Sequence, residues 1–320
     1  MIRLRRIVKA SAIGLAAFAA GVAGLVAFGA GEPPPPLAGI NNAFSNADWS
    51  ALPALQSYVA RDGTPIAYRA YAAGGERVAV LVHGSSGSAR GMHAVGLALA
   101  RQGVTAYALD MRGHGASGRR GDIDYPDQLE DDVADFLALL RQRHPGARFT
   151  LIGHSSGGGF TLRFAGGRYG EGFDRYVMLA PFIHQDAPTA RPGTGGWAKP
   201  YIPRMIGLTL LDRMGLKWFQ DLPVLAFAVP AGAPERTVAY SYRLQRGFRP
   251  HDDWRGDVRA LRRPASVIVG GRDSLFVAAA YGPALEPLSA RIKVRLLADV
   301  DHIGLVLDPA ALQEILKELA

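Results

Sequence analysis

Gly153-His154-Ser155-Ser156-Gly157 is the segment of the chain richest in chemistry. It follows an apolar run at 149–152 and precedes a glycine-rich helix start. A G-x-S-x-G placed between strand and helix lets the backbone turn sharply and lifts the serine hydroxyl out of the sheet edge. The pattern alone is thin evidence: in a chain with 39 Gly, chance supplies roughly 0.2 such matches. Its context and its partners are what give it weight.

A serine hydroxyl attacks poorly near neutral pH unless a base takes its proton. Sites built on such a turn run in the chain order Ser, acid, His. His302 stands in a loop after the run 293–297, and Asp273 follows the run 266–269 through Gly270-Gly271-Arg272. Ser155, Asp273 and His302 therefore satisfy the order. Asp299 and Asp301 are nearer to His302 along the chain, but in an extended loop adjacent side chains point apart. His154 adjoins the serine and is expected to point elsewhere on the turn, while His184 and His251 fall in a region without periodicity. Acyl transfer also needs N–H groups aimed at a developing oxyanion. His83-Gly84-Ser85-Ser86-Gly87 follows the run 78–82, where the backbone N–H of Ser85 is expected to supply one donor and that of Ser156 the other. Such chemistry requires no metal or organic cofactor.

These residues need a scaffold, and the hydrophobic pattern supplies one. Strands are expected at 57–60, 65–71, 78–82, 105–109, 149–152, 176–179, 266–269 and 293–297, with helices at 92–102, 129–143, 158–164 and 309–319. The middle strands are short, apolar on both faces and separated by helical stretches, the pattern of a mostly parallel sheet covered on both sides. The fold class is α/β. In the helix at 129–143, Leu129, Val133, Phe136, Leu137 and Leu140 form an apolar face, and Glu130, Asp131, Asp132 and Asp135 are expected to face water. Between Pro181 and Arg263 the alternation stops. Prolines, Trp197, Tyr201, Trp218 and Phe219 mark that stretch as an insertion at about 183–262.

Outside this body the chain is different. Half of the formal charge of +8 comes from Arg3, Arg5, Arg6 and Lys9, and the remaining excess is too thin over so long a chain to imply nucleic acid. An uncharged stretch at 10–31 follows, about the length that crosses a bilayer as a helix. Residues 1–31 therefore read as a signal peptide or a transmembrane anchor, either of which keeps the basic flank in the cytosol and exports the rest. The domain is then membrane-anchored on the non-cytoplasmic side, or secreted or periplasmic if the segment is cleaved. Four prolines at 33–36 open a linker read over 32–54. The chain has no Cys, which excludes disulfides, thiolate metal sites and a cysteine nucleophile. A hydrophobic fraction of 48% excludes global disorder.

Four segments together resemble the α/β-hydrolase superfamily, in its monoacylglycerol lipase, lysophospholipase and serine-aminopeptidase-like branch. They are LVHGSSG at 81–87, LDMRGHGASGRRGD at 109–122, LIGHSSGG at 151–158, and VGGRDSLF followed by DVDHIGL. The second is similar to the R-G-H-G-x-S-x-G loop of that branch, within which His114 is expected to shape the loop. Where monoacylglycerol lipases carry a Gly-Glu pair soon after His-Gly, this chain has Ser85-Ser86-Gly87-Ser88. The resemblance implies an α/β-hydrolase domain at 55–320 with the insertion as its cap, and a Ser-Asp-His serine hydrolase acting on lipid-like or amphipathic acyl esters. Two alternatives stand beside it. One is an exported aminopeptidase-like serine peptidase, which would need an acidic amine-binding group such as Asp186, Asp212 or Asp221. The other is a lipid-binding pseudohydrolase without catalysis. Oligomeric state, acyl chain length and physiological substrate are not written in the sequence.

Overall fold

The computed structural model of the chain describes residues 2–45, 47–230, 232, 233 and 235–319. Its central sheet starts with β1 (Leu55–Val59), β2 (Pro65–Tyr71), β3 (Arg77–Val82), β4 (Val104–Leu109), β5 (Arg148–His154) and β6 (Arg175–Leu179). A smaller antiparallel sheet follows, made of β7 (Ala198–Pro200), β8 (Pro223–Phe227) and β9 (Ala239–Ser241), before β10 (Ala265–Gly270) and β11 (Ile292–Leu297) complete the large one. The helices are α1 (Ile2–Phe28), α2 (Ala38–Asn41), α3 (His93–Arg101), α4 (Gln128–Arg143), α5 (Ser156–Gly166) and α6 (Ile202–Arg213). Then come α7 (Tyr242–Gly247), α8 (Trp254–Arg259), α9 (Tyr281–Leu285), α10 (Gly304–Leu307) and α11 (Pro309–Lys317).

The large sheet runs in the order β1-β2-β4-β3-β5-β6-β10-β11. Pairing is antiparallel among β1, β2 and β4 and parallel from β4 to β11. Strands β4 and β10 are buried at every position and β3 at all but Arg77, which is why they read as unbroken apolar runs rather than as alternation. Parallel pairing brings the carboxyl ends of β3, β5 and β10 to one edge, where an open α/β sheet gathers its functional groups.

Three expectations need correction. On α4, Glu130, Asp131 and Asp132 do not face water: all three are buried and paired. Arg163 meets Glu130, Arg112 meets Asp132 at 2.7 Å, and Asp131 accepts from Arg168, from Tyr169 at 2.7 Å and from Tyr125 at 2.8 Å. Periodicity shows which positions carry charge, but not that cations from other elements will cover them. The stretch at 32–54 is not spacer throughout, because Ile40 of α2 is buried and Leu37 N–H bonds to Ala228 O at 3.0 Å. Finally, the excursion between β6 and β10 is not all cap: α8 packs on α5 in the helical layer of the main sheet.

Among the described residues, one helix is long and apolar enough to cross a membrane, through the 18 residues Ser11–Phe28 with mean hydropathy 2.0. The side chains of Arg3 and Arg5, two of the four leading cations, lie outside the described residues.

Candidate active site

Ser155 sits between the last residue of β5 and the first of α5, at φ +56° and ψ −120°. A side-chain-bearing residue is strained there, and the surroundings impose the geometry. Ser155 N–H donates to Leu179 O at 2.8 Å, and Ser155 O accepts from Gly159 and Phe182 N–H, both at 3.0 Å. The turn also needs its closing glycine, since a Cβ on Gly157 would lie 2.3 Å from His83 O and 2.6 Å from Val82 O. In this way the end of β3 is pressed against the start of α5.

Asp273 follows β10 and is held from several sides. Its Oδ1 accepts from Leu275 N–H at 2.7 Å and Phe276 N–H at 2.9 Å, and its Oδ2 lies 2.7 Å from His302 Nδ1. Both side chains are buried. Burial pushes the Asp273 carboxyl up, but the His302 imidazole and then the two N–H donors outweigh it and hold the group below the usual carboxylate range. An ionised Asp273 carboxylate can only accept, so the proton in that contact lies on His302 Nδ1. Asp301 is engaged elsewhere, accepting from Gly304 N–H at 2.6 Å, and Asp299 is exposed.

Ser155 and His302 line one cavity of about 50 Å³. The Asp273–His302 contact is formed, whereas among the described residues no hydrogen bond joins the Ser155 hydroxyl to His302. Such bonds commonly tighten only when substrate is present.

His154 does something the sequence did not indicate. It turns under His302, with Nε2 donating to His302 O at 2.9 Å and the two rings 4.7 Å apart between centroids. Burial, and then the neighbouring His302, pull its pKa down to about 3, so it is a neutral support for the backbone that carries His302.

Ser85 lines the same cavity, and no described residue accepts from its backbone N–H. Ser156 opens α5, so its N–H has no acceptor within the helix and lies at the positive end of the helix dipole. The loop that carries Ser85 is fixed by residues of the cap. Trp197 Nε1 donates to Ser85 Oγ at 2.8 Å, and Ser86, at φ +63°, donates its N–H to Tyr240 Oη at 2.9 Å. Tyr240 Oη in turn lies 2.6 Å from His114 Nε2, whose Nδ1 faces Arg112 O at 3.2 Å. A carbonyl can only accept, so Nδ1 carries the proton and Tyr240 donates to Nε2. Burial, then the nearby His83, drive the His114 pKa well down, which agrees with this neutral form. The loop at 109–122 is therefore a brace. Asp110 ties it to the chain beyond β3, accepting from Ala116 N–H at 2.9 Å and Ala89 N–H at 2.6 Å.

Sequence reasoning missed Trp197, Tyr240, Ile40, Phe44 and Arg236. All five come from the insertion or the linker, where no spacing rule places a side chain. The acids named for a peptidase lie elsewhere: Asp212 pairs with Lys217 and accepts from Gln220 at 2.8 Å, Asp186 is exposed, and neither these nor Asp221 lines the cavity. Donor atoms of Asp127, Glu130 and His251 lie within 4.8 Å of one another, away from the cavity, but Arg163 already pairs with both acids.

Comparison with known proteins agrees with this architecture. Residues 75–223 match the family model described as serine aminopeptidase, S33. The Pyrococcus furiosus esterase Pf2001 superposes with a TM-score of 0.56 at 18% identity, covering 89% of this chain and 98% of that one. Est1E from Butyrivibrio proteoclasticus, solved with ferulic acid bound, gives 0.56 at 17% identity, covering 82% and 98%. The chain has the α/β-hydrolase fold. A monoacylglycerol lipase from Mycolicibacterium smegmatis is 32% identical over 108 residues. That match covers 33% of this chain and 38% of the lipase, so the chain matches well under half of that relative's length.

Proposed function

We propose that the chain is a serine hydrolase that cleaves carboxylic esters of lipid-like or amphipathic acids in two acyl-transfer steps. The observation that carries this reading is the buried Asp273–His302 pair, 2.7 Å apart, beside a serine on a strained strand-to-helix turn. His302 Nε2 takes the Ser155 proton as the hydroxyl attacks the ester carbonyl, and Asp273 stabilises the imidazolium that forms. The N–H groups of Ser85 and Ser156 hold the tetrahedral oxyanion, each contributing about 3 kcal/mol to the transition state. His302 returns the proton to the leaving alcohol, then activates water to release the acid. The lipase and esterase relatives support the ester class. The apolar cap and the N-terminal helix support an amphipathic substrate met at a membrane, on its non-cytoplasmic side.

The test is a fluorophosphonate probe together with a panel of para-nitrophenyl esters and aminoacyl amides. The expected result is covalent labelling at Ser155 and turnover of esters over amides, both lost in Ser155→Ala. Amide turnover exceeding ester turnover would convert the assignment to a peptidase. A folded protein that neither labels nor turns over any member of the panel would make it a binding protein.

A further inference from the structure

Arg236 stands in the wall between two cavities. One is the cavity of about 50 Å³ that contains Ser155 and His302; the other, of about 510 Å³, adjoins it and shares Phe44, Gly91 and Arg236. The inner cavity is too small for a whole ester, since ligand pockets usually run to several hundred Å³. A substrate with its carbonyl at Ser155 must extend outward, and the outer cavity past Arg236 has the room.

The arginine there is poorly satisfied. Its recorded side-chain contacts are a 3.4 Å hydrogen bond to the neutral Asn41 Oδ1 and the Trp197 ring, 5.8 Å away at its centroid. No described carboxylate pairs with it, and none lines the inner cavity. Other sheltered arginines of this chain are met by partners. Arg112 has Asp132 and Asp62, Arg163 has Glu130 and Asp127, and Arg204 has three backbone carbonyls. In the outer cavity Glu235 is engaged with Arg90, at 3.7 Å. Burial pulls the Arg236 guanidinium below the ordinary arginine range, whereas at Arg112 burial is outweighed by Asp132 and Asp62 and the group is raised. A half-buried cation with five donors and one long neutral acceptor costs stability, and a fixed guanidinium fork suits a carboxylate or phosphate.

We propose that Arg236 receives an anionic group of the substrate, so that the preferred esters carry a carboxylate or phosphate beyond the scissile carbonyl. The inference rests on the serine-hydrolase reading and narrows it. It also runs against an amine-binding role for the same pocket, since the charge facing the site is positive.

The anion can sit on either side of the ester, and two matched pairs of probes separate the sources. Oleoyl lysophosphatidic acid against monooleoylglycerol tests the alcohol side. The mono-para-nitrophenyl ester of adipate against para-nitrophenyl hexanoate tests the acyl side. With the full chain in detergent, kcat/KM is expected to favour the anionic member of at least one pair. In Arg236→Gln the anionic-to-neutral ratio for that pair should fall about ten- to hundredfold, the range for a charge-assisted hydrogen bond. Arg236→Lys, which keeps the charge but loses the fork, should retain part of the preference. Using the ratio cancels any general loss of active protein. Neutral members favoured in both pairs, or a ratio unchanged in Arg236→Gln, overturns the inference while Ser155-dependent turnover keeps the hydrolase reading. No turnover of any of the four esters overturns both.

Discussion

At the scale of single residues, the site is a set of hydrogen bonds that decide protonation states before substrate arrives. Asp273 is the member whose role can be isolated most cleanly. Asp273→Asn keeps the shape and can still accept at one oxygen, but it removes the charge that fixes the His302 tautomer. Its kcat should fall by about four orders of magnitude with folding intact. Asp301→Asn should retain most activity, because that carboxylate caps Gly304 N–H instead. Rate measurements on the two variants check this, and the reverse ranking would move the acid to the loop. Ser155, Asp273 and His302 could be singled out in the sequence as candidates because each follows an expected strand, and the structure brings Asp273 and His302 together. Trp197, Tyr240 and Arg236 could not be, because their contacts depend on how the cap folds back over the sheet. His154 was readable as a residue but not as a direction: only the twist of the turn brings it beneath the imidazole.

At the scale of elements, the eight strands of the main sheet could be read to within a few residues. Burial on both faces leaves an apolar signature in β3, β4, β5, β6 and β10, whereas β1 and β11 are mostly exposed. The cap strands β7 and β9 span three residues each, too short for a period to show. Also unreadable was the docking of α1 on α6. Arg204 Nε donates to Val26 O at 2.9 Å, capping the end of α1, and Gly207 lets the helices close, since a Cβ there would lie 2.8 Å from Val26 Cγ2. Toward the middle of α1, Leu15 and Phe18 share an apolar cavity of about 560 Å³ with Trp218 and Phe219 of the cap. The membrane-type helix is thus also a packing partner of the cap. Gly207→Leu should wedge the two helices apart at a cost of about 1–3 kcal/mol, the range for overpacking. The expected outcome is a lower melting temperature in detergent and faster proteolysis of the proline segment at 33–36. An unchanged melting temperature and digestion pattern would mean that α1 contributes nothing to the fold of the cap.

At the scale of the whole molecule, the charge asymmetry and the buried histidines govern how the protein meets its surroundings. The basic flank of α1 should hold the N-terminus in the cytosol, so a C-terminal alkaline phosphatase fusion should be active in cells. Silence of that fusion, with a cytosolic reporter active in its place, would invert the topology. The second consequence concerns acid. His83, His114 and His154 are buried, and burial is the leading cause that lowers each pKa from the ordinary value of 6.5. In the fold burial disfavours their protonation, and in the unfolded chain each takes up a proton near pH 6.5. Their depressed folded values favour the native state fully above that pH and progressively less below it, down to about 3 in the case of His154. Asp273, also depressed, loses its contribution only below its ordinary value of 3.8, so it does not account for a loss between pH 6.5 and 5. His154, whose folded value is about 3, should remove about 1.4 kcal/mol of stability per pH unit once the unfolded form is protonated. Urea unfolding at pH 7.5 and 5.5 should therefore show a marked loss at the lower pH. In His154→Gln the slope should drop by about one proton's worth. A midpoint that does not move between the two pH values would mean that these histidines are protonated in the fold, and the tautomers assigned to the brace around Ser85 would fall with it.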